Sequence, residues 1–214
     1  MNRIIIDLDN TLYPEHKGIF SQVNNRINLY LEEKMKFRRD TINSMRVEYM
    51  EKYGTTLRGL MIHHHVDPGD YLKFVHDVEI ESVLSGNKAL DDFLHKLKGE
   101  KILFTNGAYN YAMRILNSLC VAHHFNTIFD IVSIDYIAKP DSYGYKKLIA
   151  LTGNGSSCNY LFIDDRPDNI RTAKELGMLT VLVSANGAGD NCNAELVVRE
   201  ITELEDKLKG TVFI

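Results

Sequence analysis

The residues best suited to chemistry in this 214-residue chain fall in four short segments: DLDNTLYP from Asp7, FTNG from Phe104, KP at Lys139 and FIDDRPDN from Phe162. Asp7 and Asp9 alternate around Leu8, so the two carboxylates either share one face of a strand or converge across a turn. Such a pair can divide labour, one attacking as a nucleophile and the other handling protons, provided that neighbouring charge holds their pKa values apart. A lone DxD is otherwise a solvated turn or a weak cation site. The remaining segments change its meaning. Thr105 and Asn106 put a hydroxyl and an amide on a turn closed by Gly107, a combination that can hold anionic oxygens. Lys139 adds a compact positive charge. Asp164, Asp165 and Asp168 add a second group of carboxylates, too acidic to persist beside Asp7 without a cation between them. Hard oxygen ligands with no His or Cys in the clusters point to magnesium. Singly, Thr105 reads as a helix N-cap, Lys139 as a solvated lysine and Asp165 with Arg166 as a surface ion pair. Their joint order and position outweigh those readings.

Each segment follows an apolar run without strong polar alternation: Arg3 to Ile6, Lys101 to Phe104, Ile131 to Ile137 and Tyr160 to Ile163. Such runs read as buried parallel strands, and ligands of an open α/β sheet bind at strand C-termini, where all four clusters lie. Further strands are expected over 179–184 and 195–198, with helices over 87–98, 109–118, 142–152, 168–176 and 201–208. The fold class is therefore α/β, a Rossmann-like parallel sheet with helices on both faces. Between Asp9 and Thr105 the periodicity turns helical. Val23, Ile27, Tyr30, Leu31 and Met35 form one stripe behind Ser21 as N-cap; Ile42, Met45, Tyr49 and Tyr53 form another, with Asp40 or Thr41 as cap and Gly54 as stop. Helices over 56–65 and 70–81 flank an Asp67-Pro68-Gly69 turn. These elements predict a small all-helical cap at 14–86, inserted after the first strand of a catalytic core at 1–13 and 87–214. A cap there overhangs the active site, excludes water and meets the unreacting part of a substrate.

Composition sets the outer bounds. A hydrophobic fraction of 44% and a charged fraction of 25% are ordinary for a globular protein. The net charge of -4, with interspersed acids, disfavours a nucleic acid polymer or an anionic membrane as partner. Cys120, Cys158 and Cys192 lack CxxC spacing, which argues against disulfides or zinc and for a reducing compartment. The chain enters its first strand at once, leaving no room for a signal peptide, and no apolar run reaches transmembrane length, so a cytoplasmic location is expected. His63, His64 and His65 are adjacent and on a helix cannot all face one ion.

The order of the four segments resembles the haloacid dehalogenase (HAD) superfamily, over nearly the whole chain. The resemblance implies Asp7 as a nucleophile forming an aspartyl-phosphate and Asp9 as the acid and base. It implies Thr105 and Asn106 as holders of the transferring phosphoryl group, and Lys139 as the charge that offsets Asp7 and phosphate. Magnesium would be held by Asp7, the backbone carbonyl of Asp9 and Asp164, with Asp165 and Asp168 as supporting acids. Dehalogenases of the superfamily lack an acid at the position of Asp9, so its presence favours phosphate over halide. Within the cap, DNTLYP, YGTTLRGL from Tyr53 and DYLKFVHD from Asp70 look like the pyrimidine 5'-nucleotidase branch. A small-molecule phosphate ester is then the partner, UMP or CMP foremost, with Arg58 meeting base or ribose and Tyr13 and Tyr53 able to stack on the base. A broad small-metabolite phosphatase, a phosphomutase and a non-enzymatic regulatory module are the alternatives.

Overall fold

The computed structural model describes residues 2–153, 158–187 and 193–214, so Cys192 lies outside the described residues. Six strands form one parallel sheet: β1 (Asn2–Ile6), β2 (Glu100–Phe104), β3 (Thr127–Phe129), β4 (Asn159–Asp164), β5 (Leu179–Val183) and β6 (Leu196–Val198), in the order β3-β2-β1-β4-β5-β6. Side-chain alternation divides each strand between two cores. Ile4, Ile6, Leu103, Leu161, Ile163, Val181 and Val183 face one apolar cluster. Ile5, Ile102, Phe104, Phe162 and Leu182 face the other. The first cluster is covered by α5 (Lys88–Lys96), α6 (Tyr109–Ser118) and α9 (Leu204–Leu208), the second by α7 (Ser142–Thr152) and α8 (Pro167–Glu175). Burial on both faces explains why the strands read as continuous apolar runs. The chain winds outward from β1 through β2 to β3 and returns to β4 on the opposite side of β1. The resulting crevice between the ends of β1 and β4 is the topological switch point at which such sheets bind ligands.

Between β1 and β2 the described residues form helices and no strand: α1 (Ile19–Leu29), continued by a π-helical turn over Tyr30–Lys34, then α2 (Arg39–Tyr53), α3 (Thr56–His64) and α4 (Pro68–Val75). Their apolar faces continue the sheet's cores, Ile19 and Val23 in one cluster and Tyr30, Ile42, Tyr49, Leu60 and Tyr71 in the other. Side-chain oxygens start several helices: Thr55 accepts from the Arg58 N–H, Asp67 from Asp70 and Asn87 from Leu90. The Asp67-Pro68-Gly69 segment is thus the cap and first turn of α4, and that helix ends at Val75, six residues short of the expected 81. Gly54 ends α2 at a φ of 78°. Two expected caps differ. α1 starts at Ile19 behind Gly18, upstream of Ser21, because Ile19 is fully buried and belongs to the packed face. α2 starts behind Arg38, whose carbonyl accepts from the Thr41 hydroxyl.

The expected strand over Ile131 to Ile137 is not one. The strand is Thr127–Phe129, and turns follow it. Asp130 explains the change: its carboxylate accepts from the Ser133 N–H at 3.0 Å, the Ser133 hydroxyl at 2.7 Å and the Tyr109 N–H at 3.0 Å. A side chain that satisfies nearby backbone donors competes with the sheet ladder and starts a turn. Asp135 and Tyr136 then adopt left-handed φ values of 53° and 60°, and Ile131 and Ile134 are buried from turns, not from a strand. Among the described residues no helix is long and apolar enough to cross a membrane. Cys120 and Cys158 are free.

Candidate active site

The sheet delivers two carboxylates to the switch point. Asp7 follows the last residue of β1 and keeps its N–H on the Ile163 carbonyl at 2.9 Å, while Asp164 is the last residue of β4. Asn10 then takes a left-handed φ of 59° and turns the chain. Thr105 follows β2, its N–H bonded to Phe129 at 3.0 Å and its hydroxyl accepting from the Gly107 N–H at 2.9 Å. Lys139 arrives from the loop before α7 and ties these ends together. Its ammonium donates to Asp7 Oδ1 at 2.7 Å, Asp164 Oδ2 at 2.8 Å and the Phe104 carbonyl at 2.7 Å, so all three protons are used although the residue is only 2% exposed.

Negative charge outnumbers positive charge here. Carboxylate oxygens of Asp7, Asp164 and Asp165 lie within 4.8 Å of one another. Burial pushes the Asp7 carboxyl well above the usual range; Lys139 offsets this in part, while Asp164, Asp165 and Asp9 push the same way as burial. Burial followed by the Asp164 charge raises Asp165 to about 7. Burial alone would lower Lys139, but Asp164 and Asp7 outweigh it and its pKa lies above the ordinary lysine value. Three clustered carboxylates against one lysine suit a divalent cation with oxygen ligands, so the donor set fits magnesium.

Several neighbours of these groups carry no sequence signal of their own. The Thr11 hydroxyl donates to Asp7 Oδ2 at 3.3 Å. Asn169 donates to Asp164 Oδ1 and Oδ2 at 2.9 and 3.0 Å, and the Arg166 N–H adds a third bond to that carboxylate at 2.9 Å. Asp168 stands apart: it is exposed on α8 and paired with Arg171 at 2.8 Å, so it supports no member of the cluster. Helical spacing from Pro167 could have shown it, since Asn169 and Ile170 face the sheet and Asp168 faces out. The Asn106 side chain is also differently employed. Its amide donates to the Lys139 carbonyl at 3.0 Å and accepts from the Lys139 N–H at 2.9 Å, which pins the lysine.

Asp9 sits a turn away, its Oδ1 accepting from the hydroxyls of Tyr111, at 2.6 Å, and Tyr13. Burial raises its pKa, with the two phenols and Lys139 acting in the opposite sense. Tyr13 is 2% exposed and committed to Asp9, so its ring is not a stacking surface. Tyr53 bonds His63 Nε2 at 2.6 Å on the outer side of α2. Arg58 reaches the Asp135 carbonyl at 3.4 Å. Neither Tyr53 nor Arg58 lines the large cleft, of about 1140 Å³, that opens beside Tyr111. The cleft runs between α1, α4 and the start of α6. Arg26, Lys34 and Lys73 supply positive charge, and Tyr30, Phe74 and Tyr109 supply rings.

A parallel sheet with this strand order, carrying acids at the ends of β1 and β4 bridged by a buried lysine, defines a doubly wound α/β protein with its polar site at the switch point. The chain belongs to the haloacid dehalogenase-like hydrolase family, which its sequence matches over residues 1–177. It is 27% identical over 186 residues to Phosphate metabolism protein 8 of Saccharomyces cerevisiae, covering 80% of this chain and 58% of that protein. The chain thus spans little more than half the length of that relative. Among solved structures, the magnesium-bound HAD-hydrolase YfnB from Bacillus subtilis superposes with a TM-score of 0.64 at 17% identity, over 97% of this chain and 98% of that one. A HAD phosphatase from Thermococcus onnurineus superposes with a TM-score of 0.63 at 17% identity, over 99% of both. At such identities the likeness is one of fold.

Proposed function

We propose that the protein is a magnesium-dependent phosphomonoesterase working through an aspartyl-phosphate, with pyrimidine nucleoside 5'-monophosphates as its substrates. The observation that carries the reading is the buried Lys139 bridging Asp7 and Asp164 at the switch point of the sheet. An Asp7 oxygen attacks phosphorus as the ester P–O bond breaks, and Asp9 gives its proton to the departing oxygen, releasing the alcohol. Water then attacks phosphorus, passing a proton to Asp9, and the bond to Asp7 breaks to return the carboxylate and inorganic phosphate. The Thr105 hydroxyl and the Asn106 N–H hold the phosphoryl oxygens, and Lys139 favours the ionised form of Asp7 and aims it. Side chains of Asp7, Asp164 and Asp165, with the Asp9 carbonyl, would hold magnesium, which when bound neutralises charge gathered between phosphate and carboxylates. Residues 14–86 act as a cap, and the cleft beside Tyr111 takes the leaving group, with the exposed Tyr109 offering a face to a base.

The phosphate chemistry is supported by the acid at Asp9 and by the name of the yeast relative; the pyrimidine preference is supported by the DYLKFVHD segment, part of which lines the cleft. The volume of that cleft, about 1140 Å³, favours, as a second reading, a phosphatase acting on a range of small metabolites. Phosphate release from UMP, CMP, AMP, GMP and p-nitrophenyl phosphate, with magnesium and with EDTA, separates these readings. UMP and CMP should exceed the purines at least tenfold in kcat/KM, and EDTA or Asp7→Asn should remove turnover of every ester. Equal turnover of purines and pyrimidines replaces the first reading with the second, and an active Asp7→Asn variant ends both.

A further inference from the structure

Two phenols far apart in sequence meet on one atom. Tyr13, in the loop after β1, and Tyr111, in α6, both donate to Asp9 Oδ1. Each residue is only 2% exposed. Tyr111 is itself held in place by His76, at the end of α4, whose ring stacks on it at 4.3 Å and 13°. A carboxylate oxygen accepts about two hydrogen bonds, so Oδ1 is saturated. Among the described residues none bonds Asp9 Oδ2.

We infer that Tyr13 and Tyr111 are positioning residues for proton transfer by Asp9. They lock its rotamer and saturate one oxygen, so that Oδ2 alone carries the proton. This rests on the aspartyl-phosphate reaction proposed above. In the first step the proton on Oδ2 passes to the ester oxygen as the P–O bond breaks and the bond from Asp7 forms; in the second, Oδ2 takes a proton from the attacking water as the bond to Asp7 breaks. A carboxyl free to rotate presents the wrong oxygen, or a displaced one, for part of the time, and small misplacements at a reacting centre cost rate steeply. Tyr111 also lines the cleft, so the residue that orients the acid borders the space given to the leaving group.

The dependence on leaving group tests this. Single-turnover phosphorylation of Asp7 in the presence of magnesium is measured with UMP, or with glycerol phosphate should UMP not react, and with p-nitrophenyl phosphate, whose leaving group needs no proton. Tyr13→Phe and Tyr111→Phe keep the rings and remove one donor each. Each should slow phosphorylation by the alkyl ester about tenfold or more, as Asp9→Asn does, and change that by p-nitrophenyl phosphate less than threefold. Added to Asp9→Asn, neither substitution should slow the alkyl ester further. Equal losses with the two esters, or losses that multiply with that of Asp9→Asn, overturn the inference and assign the tyrosines to packing. Full-rate Phe variants beside a slow Asp9→Asn overturn the inference alone, whereas a full-rate Asp9→Asn removes the acid role as well. A Phe variant that fails to fold leaves the other to decide, since either phenol by itself is expected to show the split.

Discussion

Asp168 and Asn169 are neighbours in the chain with opposite surroundings, and the contrast makes a prediction at the scale of single residues. Asn169 is 2% exposed and donates to both oxygens of Asp164, so it sets how that carboxylate faces the cluster. Removing a group that orients a metal ligand costs about 10- to 100-fold in metal affinity. Asn169→Ala should therefore raise the magnesium concentration needed for half-maximal activity by about that factor, while Asp168→Ala, which breaks only an exposed pair with Arg171, should change it less than about twofold. A magnesium titration of the two variants checks this, and a larger effect at Asp168 would reverse the assignment. The same reasoning explains why Lys139 tolerates full burial: it has three acceptors and two carboxylate partners, whereas an unpartnered ammonium there would lose its proton.

At the scale of elements, the packing of α2 on α3 depends on a residue without a side chain. A Cβ on Gly59 would lie 2.3 Å from two atoms of the Tyr49 ring, and Tyr49 is only 7% exposed and fastened by its hydroxyl to His64 Nε2 at 3.0 Å. Alanine favours a helix over glycine by about 1 kcal/mol. Overpacking a closed contact costs about 1 to 3 kcal/mol. The clash is severe enough for the second effect to win, so Gly59→Ala should lower stability by about 1 kcal/mol or more, seen as a lower urea midpoint. Adding Tyr49→Leu, which removes the ring, should recover part of the loss; a more stable Gly59→Ala single variant would mean that the ring can move aside.

At the scale of the whole molecule, the end of α4 meets α6 where the His76 ring stacks on Tyr111, and this contact carries a pH prediction. Burial, with a smaller contribution from the Arg114 charge, lowers the His76 pKa to about 4, and among the described residues its Nδ1 is buried without a hydrogen-bond partner. A histidine with a depressed pKa binds fewer protons folded than unfolded, so its contribution is present above the unfolded value of about 6.5 and is lost as pH falls from there towards about 4. The difference corresponds to on the order of 3 kcal/mol at most. His76→Phe keeps an aromatic ring against Tyr111 and cannot titrate. Urea midpoints between pH 7 and 4 should therefore fall more steeply for the wild-type protein than for this variant, and parallel profiles would show that His76 takes up its proton without strain.

Which features were legible in the chain follows the range of the forces behind them. The parallel α/β sheet could be read because burial on both faces leaves a local record, an apolar run ending in a polar cluster, and the helices over 109–118 and 142–152 carry local periodicity, the second with Asp141 as its cap. The loop after β3 could not: apolar residues from Ile131 to Ile137 suit a strand or buried turns alike, and the choice fell to Asp130 bonding Ser133 and, across 21 positions, Tyr109. The types of the acids and Lys139 were evident from order and spacing, but which of them touch is a matter of three-dimensional register. Folding turned Asp168 outward, set Asn169 against Asp164, drew Asn106 onto the backbone of Lys139 and brought Tyr111 across 102 residues to Asp9. The sequence alone determined where charge and apolar surface occur along the chain. Only the tertiary structure decided which polar groups share a desolvated space, because hydrogen bonds and ion pairs act over a few ångströms and not over a span of sequence.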